Sequence, residues 1–161
     1  MRVVGIIAEY NPLHNGHIYH MEESKKQADS EFCIVAMSGN FVQRGEPACS
    51  DKFTRAEWAV MGGADVVVEI PPVYAVASAE RFAEGAVKTL AATGVVTDLA
   101  FGVETEDVNA LYHLADLLDR EPANLRVYLL HHLKQGKSFP RAQYDALADL
   151  GVPEDELAIL Q

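Results

Sequence analysis

Two histidines three residues apart, His14 and His17, flank Asn15 and Gly16 just beyond a short apolar run. The whole segment reads Glu9-Tyr10-Asn11-Pro12-Leu13-His14-Asn15-Gly16-His17. Pro12 and Asn15 favour a turn, and Gly16 lets a ligand approach the backbone. A helix starting there offers free N–H groups and a partial positive charge, a setting suited to phosphate. Both imidazoles can face one side of that first turn. Together they can hold a triphosphate and stabilise the charge that builds on the α-phosphorus as pyrophosphate leaves. His20 is about 120° round from His14 on a 3.6-residue helix and need not join them. A zinc site is the competing chemistry for a His-x-x-His pair, but it lacks a third or fourth ligand nearby, since Cys33 belongs to a strand interior. A purely structural turn is the other alternative.

Four short apolar runs supply the frame: residues 3–8, residues 32–37, Asp65-Val66-Val67-Val68-Glu69-Ile70 and Asp98-Leu99-Ala100-Phe101-Gly102. Such continuous runs suit strands buried on both faces. Helical patterns lie between them, over about 16–28, 51–61 and 75–92, with Gly62-Gly63 and Gly94 as stops. This alternation predicts an α/β fold built on a parallel sheet with helices on its faces. In such sheets ligands bind where strand C-termini meet helix N-termini, which is where the histidines fall. After Glu104 the pattern is wholly helical, over 108–118, 125–135 and 141–150. The expected division is therefore a nucleotide-binding core, 1–104, and a helical segment, 105–161, continuing the same domain. The last residues, 153–161, read as a helix beginning, so the chain is expected to be the N-terminal part of a longer protein.

Further candidates flank the turn. Asn40, Gln43 and Arg44 fall in the loop after the second run, on the ligand side. Lys52 and Arg55 open a helix, where cations are disfavoured by the dipole. Phosphate or RNA contact explains them, and so does a surface ion pair with Asp51 or Glu57. Gly102 ends the fourth run, where its backbone can come close to a nucleotide.

The 161 residues are 49% hydrophobic and 23% charged, as in an ordinary soluble domain. No apolar stretch nears the ~20 residues of a membrane span, and no signal peptide is expected. Cys33 and Cys49 are read as free thiols of a reducing cytoplasm. The net charge of −11 opposes general attraction to a polyanion. Yet Arg120, Arg126, Lys134, Lys137 and Arg141 meet only one acid, Glu121, between 120 and 141. That basic segment suits either nucleic acid or a solvated helix face. Of the adjacent pair His131-His132, one is expected to pack and one to face outward.

His14-Asn15-Gly16-His17 resembles the His-x-Gly-His signature of the nucleotidyltransferase superfamily. The wider text is more specific. It includes the stretch that opens Val4-Gly5-Ile6-Ile7-Ala8-Glu9 and the string Met37-Ser38-Gly39-Asn40-Phe41-Val42-Gln43-Arg44-Gly45-Glu46-Pro47-Ala48. Asp51-Lys52-Phe53-Thr54-Arg55-Ala56-Glu57, Gly63-Ala64-Asp65, Glu69-Ile70-Pro71, Ser78-Ala79-Glu80-Arg81-Phe82-Ala83-Glu84-Gly85-Ala86 and Phe101-Gly102-Val103-Glu104 add to it. Together they resemble the bacterial tRNA(Met) cytidine acetate ligase family. The resemblance implies a Rossmann-like nucleotidyltransferase fold, in which acetate and ATP form acetyl-adenylate and pyrophosphate. The acetyl group then passes to N4 of the wobble cytidine of elongator tRNA(Met). It further implies an ATP-binding stretch of Ile7, Ala8, Glu9, Tyr10, Asn11, Pro12, Leu13, His14, Asn15, Gly16, His17, Ile18, Tyr19 and His20, joined by Gly102. His14 and His17 are the expected catalytic residues. Asn40, Gln43, Arg44, Lys52 and Arg55 are the expected substrate or phosphate contacts. Mg²⁺ is expected on the ATP phosphates, with no protein ligand assigned. The family is longer, and the later Ser/Thr-rich turn with an Arg, usual in the superfamily, is not found before Gln161. Two alternatives stay open: an adenylyltransferase acting on a small phosphorylated acceptor, and an ATP-binding fragment without turnover.

Overall fold

The structure, a computed structural model, describes residues 1–103 and 107–160; Glu104, at the expected boundary, and Gln161 lie outside them. Four strands form one parallel sheet: β1 (Val3–Ala8), β2 (Phe32–Ser38), β3 (Val66–Ile70) and β4 (Asp98–Ala100), in the order β3-β2-β1-β4. The register sets Val4 opposite Cys33 on one side and opposite Asp98 on the other. Because the order reverses at β1, the chain leaves the sheet in opposite directions from its two flanks. This is where open α/β sheets bind ligands.

Alternation along β1 and β2 builds two cores. Val4, Ile6, Cys33, Val35 and Met37 pack with Met21 of α1 (Asn15–Gln27) and Ala59 of α2 (Lys52–Met61). Val3, Ile34 and Ala36 pack with Ala75 of α3 (Pro72–Ala75) and with Ala86 and Leu90 of α4 (Ala79–Ala92). The helices therefore cover both faces. Gly5 lies under α4, where an added Cβ would come within 2.9 Å of Leu90 Cδ1 and Val96 Cγ1. Cys33 and Cys49 are both free, and burial pushes the Cys33 thiol up to about 11.

Three expectations need correction. The helix expected over 75–92 begins only at Ala79, because the backbone is extended at Ser78 (ψ 157°), and the short α3 has already ended at Ala75. The apolar period alone runs straight through that break. The edge strands are not buried on both faces, since Val66 and Leu99 are exposed where each edge has a neighbour on one side only. Pairing of β4 also stops at Ala100, leaving Phe101 and Gly102 exposed.

The chain divides into two compact units, Met1–Gly102 and Val103–Gln161. The second is helical: α5 (Val108–Arg120), α6 (Ala123–Lys134), α7 (Phe139–Asp149) and α8 (Glu154–Leu157), ending in a 3₁₀ turn at Ala158–Leu160. Leu114, Leu125, Ala146, Leu147 and Leu157 form its core. Among the described residues no helix is long and apolar enough to cross a membrane.

Gly5→Ala should destabilise the protein by about 1–3 kcal/mol through overpacking against Leu90 and Val96. Adding Leu90→Val, which removes part of the obstructing side chain, should recover some of that loss in denaturant melts. A Gly5→Ala protein as stable as the parent would show that α4 is free to move off the sheet.

Candidate nucleotide site

The turn beyond β1 begins at Tyr10, which is 2% exposed and holds a left-handed φ of 43°. Its hydroxyl has no hydrogen-bond partner among the described residues, and burial raises its pKa above the ordinary 10.0. After Tyr10 the chain passes over the end of the sheet and enters α1 at His14, whose backbone is extended (φ −144°, ψ 172°).

The two histidines cap α1 reciprocally. Gly16 N–H donates to His14 Nδ1 at 3.1 Å, and His14 N–H donates to His17 Nδ1 at 3.3 Å. The arrangement is a capping box in which imidazoles replace the usual hydroxyl and carboxamide. Its chemical consequence is tautomeric. An Nδ1 that accepts carries no proton, so each neutral ring has its N–H on Nε2. The rings stack at 3.6 Å between centroids, and Tyr10 packs beside His17 at 4.9 Å. Burial, then His14 and His20, lower the His17 pKa from its ordinary 6.5, so the free site holds a neutral His17 at pH 7.

These groups border a cleft of about 420 Å³. Ile7, Ala8, Glu9, Tyr10, Asn11 and Pro12 form one wall, and His14, His17 and His20 another. His20 thus joins the pair. A helical angle does not apply from His14, which caps the helix in extended conformation, whereas His17 and His20 sit about one turn apart within it. Leu13 and Ile18 pack into the core beneath, Tyr19 is exposed, and Asn15 and Gly16 form the first turn. Gly102 is exposed and follows β4, whose register runs toward Ala8.

Arg55 takes a different place from the one expected. It is 0% exposed, and its guanidinium donates to the carbonyls of Glu9 (2.5 Å), Ser38 (2.9 Å), Gly39 and Ser50 (3.2 Å). No surface ion pair with Asp51 or Glu57 forms, and no face of the guanidinium is left for phosphate or RNA. Burial lowers its pKa from the ordinary guanidinium value, against the opposing pull of Cys49, Glu9 and Asp51. Arg55 thus fixes the exits of β1 and β2 and the loop between β2 and α2. Lys52 pairs with Glu69 (2.5 Å) rather than with Asp51 or Glu57, and its N–H donates to Asn40 Oδ1. Asn40 and Lys52 border a separate cleft of about 230 Å³ with Phe41 and Glu69. Asp51 is instead the N-cap of α2, and the Thr54 hydroxyl and backbone N–H hold its pKa below the ordinary 3.8.

Gln43 and Arg44 stand closer to the histidines. Gln43 N–H donates to Glu9 Oε1 at 2.6 Å, and Cys49 N–H to Asn11 Oδ1 at 2.6 Å, tying the loop to the β1 exit. A second cleft, of about 480 Å³, opens there, bordered by Glu9, Asn11, Gln43 and Arg44. Val42, Glu46, Ala79 and Phe82 complete it. These four lie outside the expected site. Phe82 belongs to the apolar stripe of its helix, but its place in the first turn also brings it to the ligand edge of the sheet.

Three of the five cations of the basic segment form ion pairs within the second unit. Arg120 pairs with Asp116, and Lys137 and Arg141 both pair with Asp145. His132 is buried between Asp149 (2.9 Å) and Lys137 (3.0 Å), while His131 faces outward to Gln135.

A parallel sheet of order β3-β2-β1-β4, with paired imidazoles capping the helix beyond its first strand, defines a nucleotidyl-transfer class of domain. The chain belongs to the HIGH nucleotidyl transferase family, which matches residues 1–160. It is 47% identical over 161 residues to the tRNA(Met) cytidine acetate ligase of Caldanaerobacter subterraneus subsp. tengcongensis, covering 100% of this chain and 40% of that protein. To the ligase of Fervidobacterium nodosum it is 49% identical over 150 residues, 93% of this chain and 35% of that protein. The crystal structure of Thermotoga maritima TmcAL bound with α-thio ATP matches with a TM-score of 0.90 at 46% identity, over 99% of this chain and 40% of that one. This chain therefore spans well under half the length of these relatives.

Because the folded His17 imidazole binds its proton less readily than the unfolded one, the unfolded state takes up more protons below about 6.5. Stability should accordingly fall as pH drops from 7 through the ordinary imidazole value. His17→Gln keeps an acceptor for the His14 N–H and cannot titrate, so its thermal midpoint should lose less over pH 7 to 5. An identical slope in parent and variant would remove His17 as the cause. Arg55→Met strands four carbonyls and should cost roughly 3 kcal/mol or more in urea unfolding.

Proposed function

We propose that the chain binds ATP in the histidine cleft and activates acetate as acetyl-adenylate. We further propose transfer of the acetyl group to N4 of the wobble cytidine of elongator tRNA(Met). The observation that carries this reading is the reciprocal cap. It leaves both Nδ1 atoms as acceptors and so gives each imidazole an Nε2–H donor beside the N-terminus of α1. Two such donors and the free N–H groups of the first turn suit a polyphosphate. An acetate oxygen attacking the α-phosphorus needs in-line positioning and charge neutralisation, and no protein nucleophile. The α-thio ATP in the Thermotoga maritima structure and the names of the relatives support the choice of nucleotide and reaction.

Of the matched residues, His14 and His17 are read as the groups acting on the phosphates, with Ile7 through Pro12, His20 and Gly102 around the nucleotide. Magnesium would arrive on the ATP phosphates; among the described residues no three His, Cys, Asp or Glu gather to hold a metal. The limited share of its relatives that this chain spans favours a second reading, ATP binding without turnover by this chain alone.

Pyrophosphate release from ATP and Mg²⁺, with acetate and elongator tRNA(Met) each present or omitted, tests the proposal. Release should require acetate, fall about 100-fold or more in His17→Ala, and leave N4-acetylcytidine in the digested tRNA. ATP binding with no pyrophosphate under any combination would replace the ligase by the second reading.

A further inference from the structure

The second cleft adjoins the histidine cleft across a shared wall, Glu9 and Asn11, and nothing in the nucleotide reading uses it. Its loop is built in advance. Val42 N–H donates to Glu46 O, Gly45 N–H donates to Val42 O, and Gly45 takes the left-handed φ (79°) that closes the turn. Gln43 secures the loop at both ends, its N–H to Glu9 Oε1 and its side-chain amide to Ala77 O at 3.0 Å. Arg44 stands exposed at the tip of this turn with no ion-pair partner among the described residues.

The cleft thus presents apolar surface from Val42, Ala79 and Phe82, two carboxylates, Glu9 and Glu46, of which Glu9 is fixed by the Gln43 N–H, and the guanidinium of Arg44. Acetate fits this poorly. A two-carbon acid leaves most of about 480 Å³ empty and meets the like charges of Glu9 and Glu46. A pyrimidine ring fits better, since it is planar and apolar on both faces. Cytosine carries an amino donor at N4 and acceptors at N3 and O2, whereas uracil puts an acceptor at position 4. A carboxylate accepts from the amino group of the first and repels the O4 of the second.

We propose that this cleft seats the acceptor cytosine, with Glu9 accepting from N4 and Arg44 donating to the ring acceptors. The inference rests on the ligase reading and adds to it a recognition site and a proton acceptor. Glu9 belongs to both clefts, so N4 held on its carboxylate lies next to the cleft in which the acyl-adenylate forms. There N4 attacks the acetyl carbonyl and the new N–C bond forms. The C–O bond to the adenylate breaks, and AMP leaves with the electron pair. The proton released from N4 passes to the Glu9 carboxylate and then to water.

Two anticodon stem-loops, identical except for cytidine or uridine at the wobble position, would be titrated into the full chain with ATP present. ATP binding and acetate-dependent pyrophosphate release would be measured separately. The cytidine loop should bind about ten-fold or more tighter. Glu9→Gln keeps its amide oxygen on the Gln43 N–H and turns an N–H donor to the base, so the ratio should fall to one or below. Arg44→Ala should weaken both loops. Equal affinities in the parent, binding of neither loop, or an unchanged ratio in Glu9→Gln would overturn the proposal. Acetate binding lost in Arg44→Ala would also overturn it, giving the cleft to the acid. Failure of the ligase reading looks different: no acetate-dependent pyrophosphate release, whatever the ratio of the two loops.

Discussion

A single buried cation holds the working edge of the sheet together. Parallel strands end in carbonyls that no neighbour satisfies, and here β1, β2 and the loop that follows all end within reach of Arg55. Four carbonyls around one guanidinium compensate a charge whose burial would otherwise be costly. The planar fork matters, because a lysine would bring a point charge and fewer fixed donors. The Glu9 carbonyl is one of the four, so the backbone from which the histidine turn departs is held from beneath. The Gly39 and Ser50 carbonyls are two more, so the long loop is held at both roots. Packing on either face of the sheet sets where the strands lie; Arg55 sets where they stop.

On that platform the atoms that cap α1 also set which ring nitrogens carry a proton. In most helices the N-cap side chain has only structural work. In α1 the capping acceptors are imidazole nitrogens, and using Nδ1 for the cap assigns the proton to Nε2. The tautomer is thereby a consequence of helix capping, fixed before any ligand arrives. Partial burial keeps His17 neutral, so the donor is an N–H dipole rather than a cation. Protonation would remove the acceptor that the His14 N–H needs, which opposes the charged form in the free site. An anionic phosphate beside the rings shifts that balance the other way.

Much of this was legible in the residues, for identifiable reasons. The strands were clear because continuous apolar runs bounded by Gly and Pro leave few alternatives. The turn was clear because Pro, Asn, Gly and two histidines converge in six residues. Arg55 was not. A cation at a helix start looks exposed when only its neighbours in sequence are considered, and its four partners lie 5 to 46 residues away. A helical angle from His14 does not place His20, because His14 caps the helix in extended conformation. The break at Ser78 was hidden because the apolar period continues across it. In each case the deciding interaction was between segments that the chain order separates, or was a backbone angle that composition does not encode.

The order of the strands explains why two clefts meet at one residue. β1 is central, flanked by β2 and β4, and its exit must turn sharply to let α1 return along one face. The left-handed Tyr10 makes that turn and leaves Glu9 as the last residue before it. On one side the histidine-capped helix faces Glu9. On the other the loop from β2 returns to it through the Gln43 N–H. A residue at that position belongs to both spaces because of topology, whatever its side chain. A carboxylate there, with one oxygen fixed by a backbone N–H, is the arrangement that lets a single group face both clefts together.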